Sequence, residues 1–84
     1  MFLHVTNVIY LEDYRLRLEF NDGTVKEVDL RDELFGEIFE PLKNLDLFKQ
    51  ARLNRESNTI EWPNGADFAP EYLHEIGKEV RKIA

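Results

Sequence analysis

Residues 14–30 contain two strand-like runs separated by Asn21-Asp22-Gly23, and this arrangement constrains the fold more than any other feature of the chain. From Tyr14 to Phe20 every second side chain is apolar and the others are charged. Such alternation is typical of a strand with one buried face. The residues between the runs are common in tight turns, so the sequence predicts an antiparallel hairpin with strands at 14–20 and 24–30.

The register of this hairpin follows from its side-chain pairs. A two-residue loop would set Leu18 opposite Glu27 and mix the faces. A three-residue loop, with Gly23 in the left-handed conformation, sets Leu16 opposite Val28 and Arg17 opposite Glu27. It also sets Tyr14 opposite Leu30 and Arg15 opposite Asp29. A slip of one residue would exchange the faces, so we expect the three-residue loop.

The flanking segments predict a third strand, a broken helical connection and a second hairpin. A strand is expected from His4 to Leu11, with Val5, Ile9 and Leu11 on one face and Thr6, Val8 and Tyr10 on the other. In residues 31–50 the pattern is helical but Gly36 and Pro41 interrupt it, and Asn44 or Asp46 is expected to start a last turn. In residues 51–62 a turn at Glu56-Ser57 pairs Leu53 with Ile60, Ala51 with Trp62, and Arg52 with Glu61.

The run from Trp62 to Leu73 joins the last predicted strand to a helix. Pro63 restricts Trp62 to an extended conformation, and Asn64-Gly65 favours a sharp turn. Pro70 suits the first turn of a helix because it has no N–H to satisfy. Asp67 is expected to accept hydrogen bonds from this turn or from the start of the helix.

An apolar stripe follows Pro70 at helical spacing and consists of Leu73, Ile76, Val80 and Ile83. We expect Leu73 and Ile76 to pack on the sheet, and Val80 and Ile83 to meet a partner helix or a second copy of the chain. Gly77 lies inside the run and weakens a helix there, so the sequence leaves open whether the helix ends near Ile76 or continues past Gly77. The predicted fold is therefore α+β in a single domain, residues 1–84: an antiparallel three-stranded meander, a broken helical connection, a second hairpin and a C-terminal helix.

Composition excludes several classes of function. Eleven basic and seventeen acidic residues give a formal net charge of −6, which argues against direct binding to nucleic acid or to an anionic membrane. The chain has no cysteine, which excludes disulfides and thiolate chemistry and fits a cytoplasmic location. The apolar runs are too short to span a membrane. The N-terminus has no signal-peptide pattern.

No pattern of catalytic or metal-binding residues stands out. His74 has no second histidine near it in sequence, and Ser57 lies in a predicted turn without a base beside it. A pair such as Glu61 and Asp67 is more simply explained as solvated and turn-forming carboxylates. We therefore expect no enzyme, cofactor or metal. The candidate binding residues are Trp62, Asn64, Asp67, Val80 and Ile83.

The run WPNGADFAPEYL, preceded by NDGTVKEVDL and DLFKQARLN, resembles a family of small bacterial domains of unknown function that carry a WPNGAD-x-AP motif. The resemblance covers roughly residues 4–74. It implies a small mixed sheet-and-helix domain and brings no catalytic residues. Some larger relatives carry a helix-turn-helix DNA-binding domain, for which this chain has no room, and others are encoded beside a second small protein.

The leading hypothesis is a small cytoplasmic protein-interaction module that binds a protein partner or forms a homodimer. The resemblance further implies an accessory or antitoxin-like partner of another small protein. The alternative is a small-molecule-binding or enzymatic domain that uses the corner from Trp62 to Asp67. A pocket lined by corner residues would favour the alternative, and a filled corner would favour the interaction module.

Overall fold

The computed structural model describes residues 2–80, and most of its strands belong to one antiparallel sheet. That sheet has the order β1-β2-β3-β6, with β1 (Val5–Glu12), β2 (Arg15–Phe20), β3 (Val25–Asp29) and β6 (Lys78–Glu79). A second sheet consists of β4 (Arg52–Asn54) and β5 (Thr59–Glu61). The helical segments are two 3-10 turns, Arg31–Glu33 and Glu40–Lys43, and two α-helices, α1 (Leu45–Phe48) and α2 (Pro70–Ile76). The predicted α+β class and order of elements are confirmed, with β6 as an additional strand.

The β2–β3 hairpin has the predicted register. Leu16 faces Val28 and Arg17 faces Glu27. Gly23 in the three-residue loop has φ of +88°, a conformation that glycine adopts without steric cost. On the solvent side Arg17 Nη2 lies 3.1 Å from Glu27 Oε2. Apolar pairing, charge pairing and turn chemistry therefore agree on one register.

In β1, Val8 and Tyr10 share a face as predicted, but the predicted position of Val5 on the face of Ile9 is wrong, because the strand contains a bulge. Its pairing with β2 shifts by one residue between Val5 and Asn7. An extra residue at a bulge exchanges the two faces of the strand beyond it. Val5 therefore shares the core side with Val8 and Tyr10, whereas Ile9 is 45% exposed. The expectation that Val5 and Ile9 lie on the same face is corrected accordingly.

The second hairpin also has its predicted register. Leu53 faces Ile60, and Arg52 faces Glu61. The hairpin lies beside the first sheet. The main-chain N–H of Val5 in β1 donates a 2.9 Å hydrogen bond to the carbonyl of Asn58, which lies in the turn between β4 and β5. In the broken connection that precedes this hairpin, Asn44 is the N-cap of α1. The sequence had offered Asn44 and Asp46 as the two possible starts of this turn.

Helix α2 ends at Ile76, which is the earlier of the two ends that the sequence left open. Gly77 has extended backbone angles, φ −73° and ψ 151°. A Cβ atom at this position would lie 3.0 Å from the carbonyl oxygen of Leu73 and 3.0 Å from Cβ of Lys26. The backbone at residue 77 therefore lies close to β3, and glycine fits there because it has no Cβ atom. No helix within residues 2–80 has the length and apolar character needed to cross a membrane.

Beyond Gly77 the chain returns to the sheet. Lys78 pairs with Glu27, and the N–H of Val80 donates a 2.8 Å hydrogen bond to the carbonyl of Val25. Val80 therefore extends a strand and does not belong to a helical face shared with Leu73. Ile83 lies outside the described residues.

The core lies between the first sheet, the second hairpin and α2. Its largest fully buried side chains are those of Trp62 and Phe48. The other buried hydrophobic residues are Val5, Leu16, Leu18, Phe20, Val28, Leu30, Leu34, Leu42, Ile60, Ala66 and Leu73. Because they come from nearly every element, the corner between β5 and α2 is positioned by the whole core.

Candidate functional site

The turn after β5 is built around a buried tryptophan. The Trp62 side chain is fully buried, and its indole N–H donates a 2.9 Å hydrogen bond to the carbonyl of Phe48. The main-chain N–H of Trp62 donates to the carbonyl of Ala66, and that of Gly65 donates to the carbonyl of Trp62, each at 2.9 Å. Gly65 has φ of +88°. The predicted Asn64-Gly65 turn is confirmed, and the structure places the Trp62 ring in the core.

Asn64 is the polar residue that organises this corner. Its Oδ1 accepts a 3.1 Å hydrogen bond from the N–H of Ala66, which closes the turn. Its Nδ2 donates a 2.9 Å hydrogen bond to the carbonyl of Ile38. Asn64 therefore links the corner to the connection between β3 and α1.

The expected capping role of Asp67 is wrong. Residue Ala69 is the N-cap of α2 and makes no side-chain capping bond. Asp67 pairs with Glu61 through an isolated β-bridge, and its side chain is exposed. Pro70 at the first turn removes one of the N–H groups that a cap would satisfy. Within the turn it is Asn64, and not Asp67, whose side chain accepts a main-chain hydrogen bond, from the N–H of Ala66.

Three aromatic rings form a stacked row beside the buried tryptophan. Phe39 and Phe68 have centroids 4.6 Å apart and planes inclined by 28°. Phe68 and Tyr72 have centroids 6.1 Å apart and planes inclined by 16°. Phe68 also makes an edge-to-face contact with the Trp62 ring, with centroids 6.0 Å apart and planes inclined by 77°. The row therefore continues the core outward to Tyr72, whose residue is 39% exposed.

Two further apolar side chains are exposed on the segment that borders this row. Phe35 is 69% exposed and Ile38 is 47% exposed. The segment is tied to the corner at both ends, because the Tyr72 hydroxyl donates to the Glu33 carboxylate and Asn64 donates to the carbonyl of Ile38. Single exposed apolar residues are common on proteins, but groups of them on one surface are not. We call the stacked row together with the two exposed side chains of the bordering segment the aromatic corner, and it comprises Phe35, Ile38, Phe39, Phe68 and Tyr72.

Negative charge surrounds Tyr72 at the edge of the aromatic corner. The hydrogen bond to Glu33, the partial removal of solvent, and the charges of Glu33 and Glu75 raise the pKa of Tyr72 above its ordinary value of 10.0. With its pKa raised, the Tyr72 phenol stays protonated at neutral pH and donates a hydrogen bond to the Glu33 carboxylate. This hydrogen bond fixes the position of the Tyr72 ring.

A polar cluster around His74 was missed by sequence reasoning. His74 Nε2 lies 3.0 Å from Oδ2 of Asp22 and 3.3 Å from Oγ1 of Thr24. Lys26 Nζ lies 3.3 Å from His74 Nδ1 and donates a 2.6 Å hydrogen bond to the His74 carbonyl. The one sequence signal was Lys26 itself, a charged residue at a position of β3 that faces the core.

The geometry of this cluster indicates a clamp and not a catalytic relay. Lys26 has only protons to donate, so His74 Nδ1 can accept from it in the tautomer that carries its proton on Nε2, and Nε2 then donates to Asp22. Asp22 and Thr24 contact the same ring nitrogen, whereas a relay needs the carboxylate and the hydroxyl on opposite nitrogens. Two hydrogen bonds from Thr24, and then the interaction with His74, lower the pKa of Asp22 below its ordinary value of 3.8. The cluster ties the β2–β3 loop to α2.

Two clefts of the described chain are not lined by the residues of the turn after β5. One of about 640 Å³ is lined by residues of β2, β3, the first 3-10 turn and the segment after α2: Arg15, Glu27, Val28, Asp29, Glu33, Ile76, Lys78, Glu79 and Val80. Another of about 270 Å³ lies between β1 and the β4–β5 hairpin. Neither is lined by Trp62, Asn64 or Asp67. Within residues 2–80, no three His, Asp or Glu side chains are grouped in a way that could hold a metal ion.

The fold and this surface together define a small α+β domain in which exposed apolar side chains of the connection between β3 and α1 lie on a segment that is hydrogen-bonded to the corner between β5 and α2. Residues 5–79 match the model of a family described as "Protein of unknown function (DUF2442)", and the chain belongs to that family. The resemblance to a domain family of unknown function is thereby confirmed. Searches of curated proteins and of solved structures gave no match.

Proposed function

We propose that this chain is a protein-interaction module and that the aromatic corner binds another protein. The observation that supports this proposal is the exposure of Phe35 and Ile38 beside a stacked aromatic row. Apolar surface of this kind is stabilised when a partner removes it from water. Aromatic side chains are enriched at the energetically important centres of protein interfaces.

The attachment of the aromatic corner also suits a binding surface. The segment that carries Phe35 and Ile38 is held through Glu33 at one end and through Asn64 at the other. Phe39 and Phe68 are packed against the core. A surface held in place before binding loses less conformational entropy when a partner docks.

The small-molecule or enzymatic alternative receives less support from the corner. The Trp62 ring is buried, and both polar atoms of the Asn64 amide are engaged in hydrogen bonds. A ligand site needs a concave recess with polar groups aimed into it. The filled corner therefore supports an interaction surface in preference to a pocket.

The proposal extends to the setting of the protein. We infer a bacterial cytoplasmic domain that acts as an accessory or antitoxin-like partner of another small protein, and the lack of cysteine is consistent with a reducing compartment. We also infer that the WPNGAD-x-AP run is a signature of the family. Its support is structural, because Trp62 anchors the core and Asn64 forms the turn.

Site-specific photo-crosslinking in the native host tests the proposed function. A photoreactive phenylalanine analogue placed at position 35 should give a discrete protein adduct. The matched control places the same group at position 9, because Ile9 is also exposed but lies on β1 outside the aromatic corner. Adducts that are equally abundant at both positions, or absent from position 35, would refute the proposal.

A further inference from the structure

We propose that the occupant of the aromatic corner is a basic, partly apolar segment of another protein. This inference rests on the proposed function and adds the chemistry of the partner. The apolar side chains form the contact surface, and the charges around them select what can approach it.

The negative charge of the chain is concentrated in the two segments that carry the aromatic corner. Residues 31–40 and 67–75 contain seven carboxylates and one basic residue, Arg31. The carboxylates are those of Asp32, Glu33, Glu37, Glu40, Asp67, Glu71 and Glu75. Outside these segments ten acidic residues balance ten basic ones, so the segments account for the whole formal charge of −6.

Several of these carboxylates are neighbours of the apolar residues in the chain. Glu37 lies between Phe35 and Ile38 in the chain and is exposed, and Glu71 directly precedes Tyr72 and is exposed. Glu33 accepts the hydrogen bond from the Tyr72 hydroxyl. Within residues 2–80, one of these seven carboxylates forms an ion pair: Glu40 Oε1 lies 3.0 Å from Lys43 Nζ. An apolar centre with a polar rim is the usual anatomy of a protein interface.

The sign of the charge discriminates among possible occupants. Nucleic acids and anionic membranes are repelled by such a rim. A second copy of the chain would bring two acidic rims together, and like charges placed across an interface oppose association. A segment that combines Lys or Arg with apolar side chains satisfies both the rim and the centre. This complementarity selects a basic protein partner over a homodimer at the aromatic corner.

Binding of defined peptide probes tests the inference. The first probe is an amphipathic Leu/Lys helix of about 18 residues. The second has Glu in place of every Lys, and the third has Ser in place of every Leu. We expect the full chain to bind the Leu/Lys probe at least about tenfold more tightly than either of the others at low salt. We expect this preference to decline between about 0.05 and 0.5 M salt as the charges are screened.

A matched pair of charge variants localises the effect. Glu37→Lys should weaken binding of the Leu/Lys probe about threefold to fivefold, as expected for an exposed charge at the edge of a contact. Glu56→Lys makes the same change of charge on the exposed turn between β4 and β5 and should leave the affinity unchanged. Equal binding of the Leu/Lys and Leu/Glu probes, or equal weakening by the two variants, would overturn the inference.

The outcome is separable from that of the proposed function. A discrete adduct at position 35 together with no preference for the Leu/Lys probe would retain the interaction module and overturn the basic partner. Absence of the adduct would overturn the proposed function itself. An adduct formed with a second copy of the chain would also overturn the basic partner.

Discussion

The indole N–H of Trp62 donates a 2.9 Å hydrogen bond to the carbonyl oxygen of Phe48, and the two rings pack with centroids 5.6 Å apart. Both side chains are fully buried. This contact joins the segment after β5 to the last residue of α1. Because Phe68 packs against the same indole ring, the position of the aromatic corner depends on Trp62.

Replacing Trp62 with phenylalanine should destabilise the domain by about 2–4 kcal/mol. The change removes part of a ring from a packed core. It also removes the indole hydrogen bond to the carbonyl of Phe48, which keeps a 3.2 Å hydrogen bond from the N–H of Ala51. Urea denaturation followed by circular dichroism measures the change. Phe2→Ala is the control, because Phe2 is 84% exposed and its truncation should cost less than about 0.5 kcal/mol. Similar losses for the two variants would contradict the assignment of Trp62 to the core.

Asn64 and Asp67 should differ in their contribution to stability. Asn64→Ala removes the hydrogen bonds to Ala66 and Ile38 and should cost about 0.5–2 kcal/mol. Asp67→Ala should cost less than about 0.5 kcal/mol, since the exposed side chain does not cap α2. The same denaturation experiment ranks them. A larger loss for Asp67→Ala would restore the capping role that the sequence predicted for it.

Gly77→Ala should destabilise the domain by about 1–3 kcal/mol, although alanine is the better helix former by about 1 kcal/mol. The added Cβ would meet the Leu73 carbonyl and the Lys26 side chain, each at 3.0 Å. Lys78→Ala is the control, because Lys78 is exposed and follows the close contact. Unfolding curves and far-ultraviolet circular dichroism report the outcome. A gain in both stability and helix content would instead favour a helix that continues past Ile76.

Asp22→Asn should reduce stability at neutral pH and have little effect in acid. The pKa of Asp22 is lowered in the folded state, so its charged form stabilises the fold above the unfolded value near 3.8. That contribution disappears as the pH falls through the folded pKa, where both variants are neutral. The difference in unfolding free energy should therefore be present at about pH 7 and shrink below about pH 4. A difference that grows in acid would contradict the clamp formed by Asp22 and His74.

The hairpins could be predicted because independent local signals agreed. In β2–β3 the apolar pair Leu16 and Val28 and the charge pair Arg17 and Glu27 require the same register, and Gly23 permits the loop that gives it. The bulge in β1 has no such signature, since alternation alone does not show where an extra residue is inserted.

The end of α2 and the binding surface depend on contacts that are distant in sequence. The cost of Gly77 within a helix is too small to end it, and the deciding contacts come from β3, some 50 residues away. The exposure of Phe35 and Ile38 was not predictable either, because an irregular connection has no period that separates buried from exposed positions.

The central claim is tested most directly by measuring how tightly the crosslinked partner binds three chains: the parent, Phe35→Ser and Ile9→Ser. The partner is the protein that the photoreactive group at position 35 captures. Phe35→Ser removes an exposed anchor of the aromatic corner, whereas Ile9→Ser makes a comparable change on β1. Titration of each purified chain with the purified partner should show a loss of at least about tenfold for Phe35→Ser and no loss for Ile9→Ser, with unfolding free energies within about 0.5 kcal/mol of the parent. Unchanged affinity for Phe35→Ser, or an equal loss for Ile9→Ser, would contradict the assignment of the aromatic corner as the binding surface.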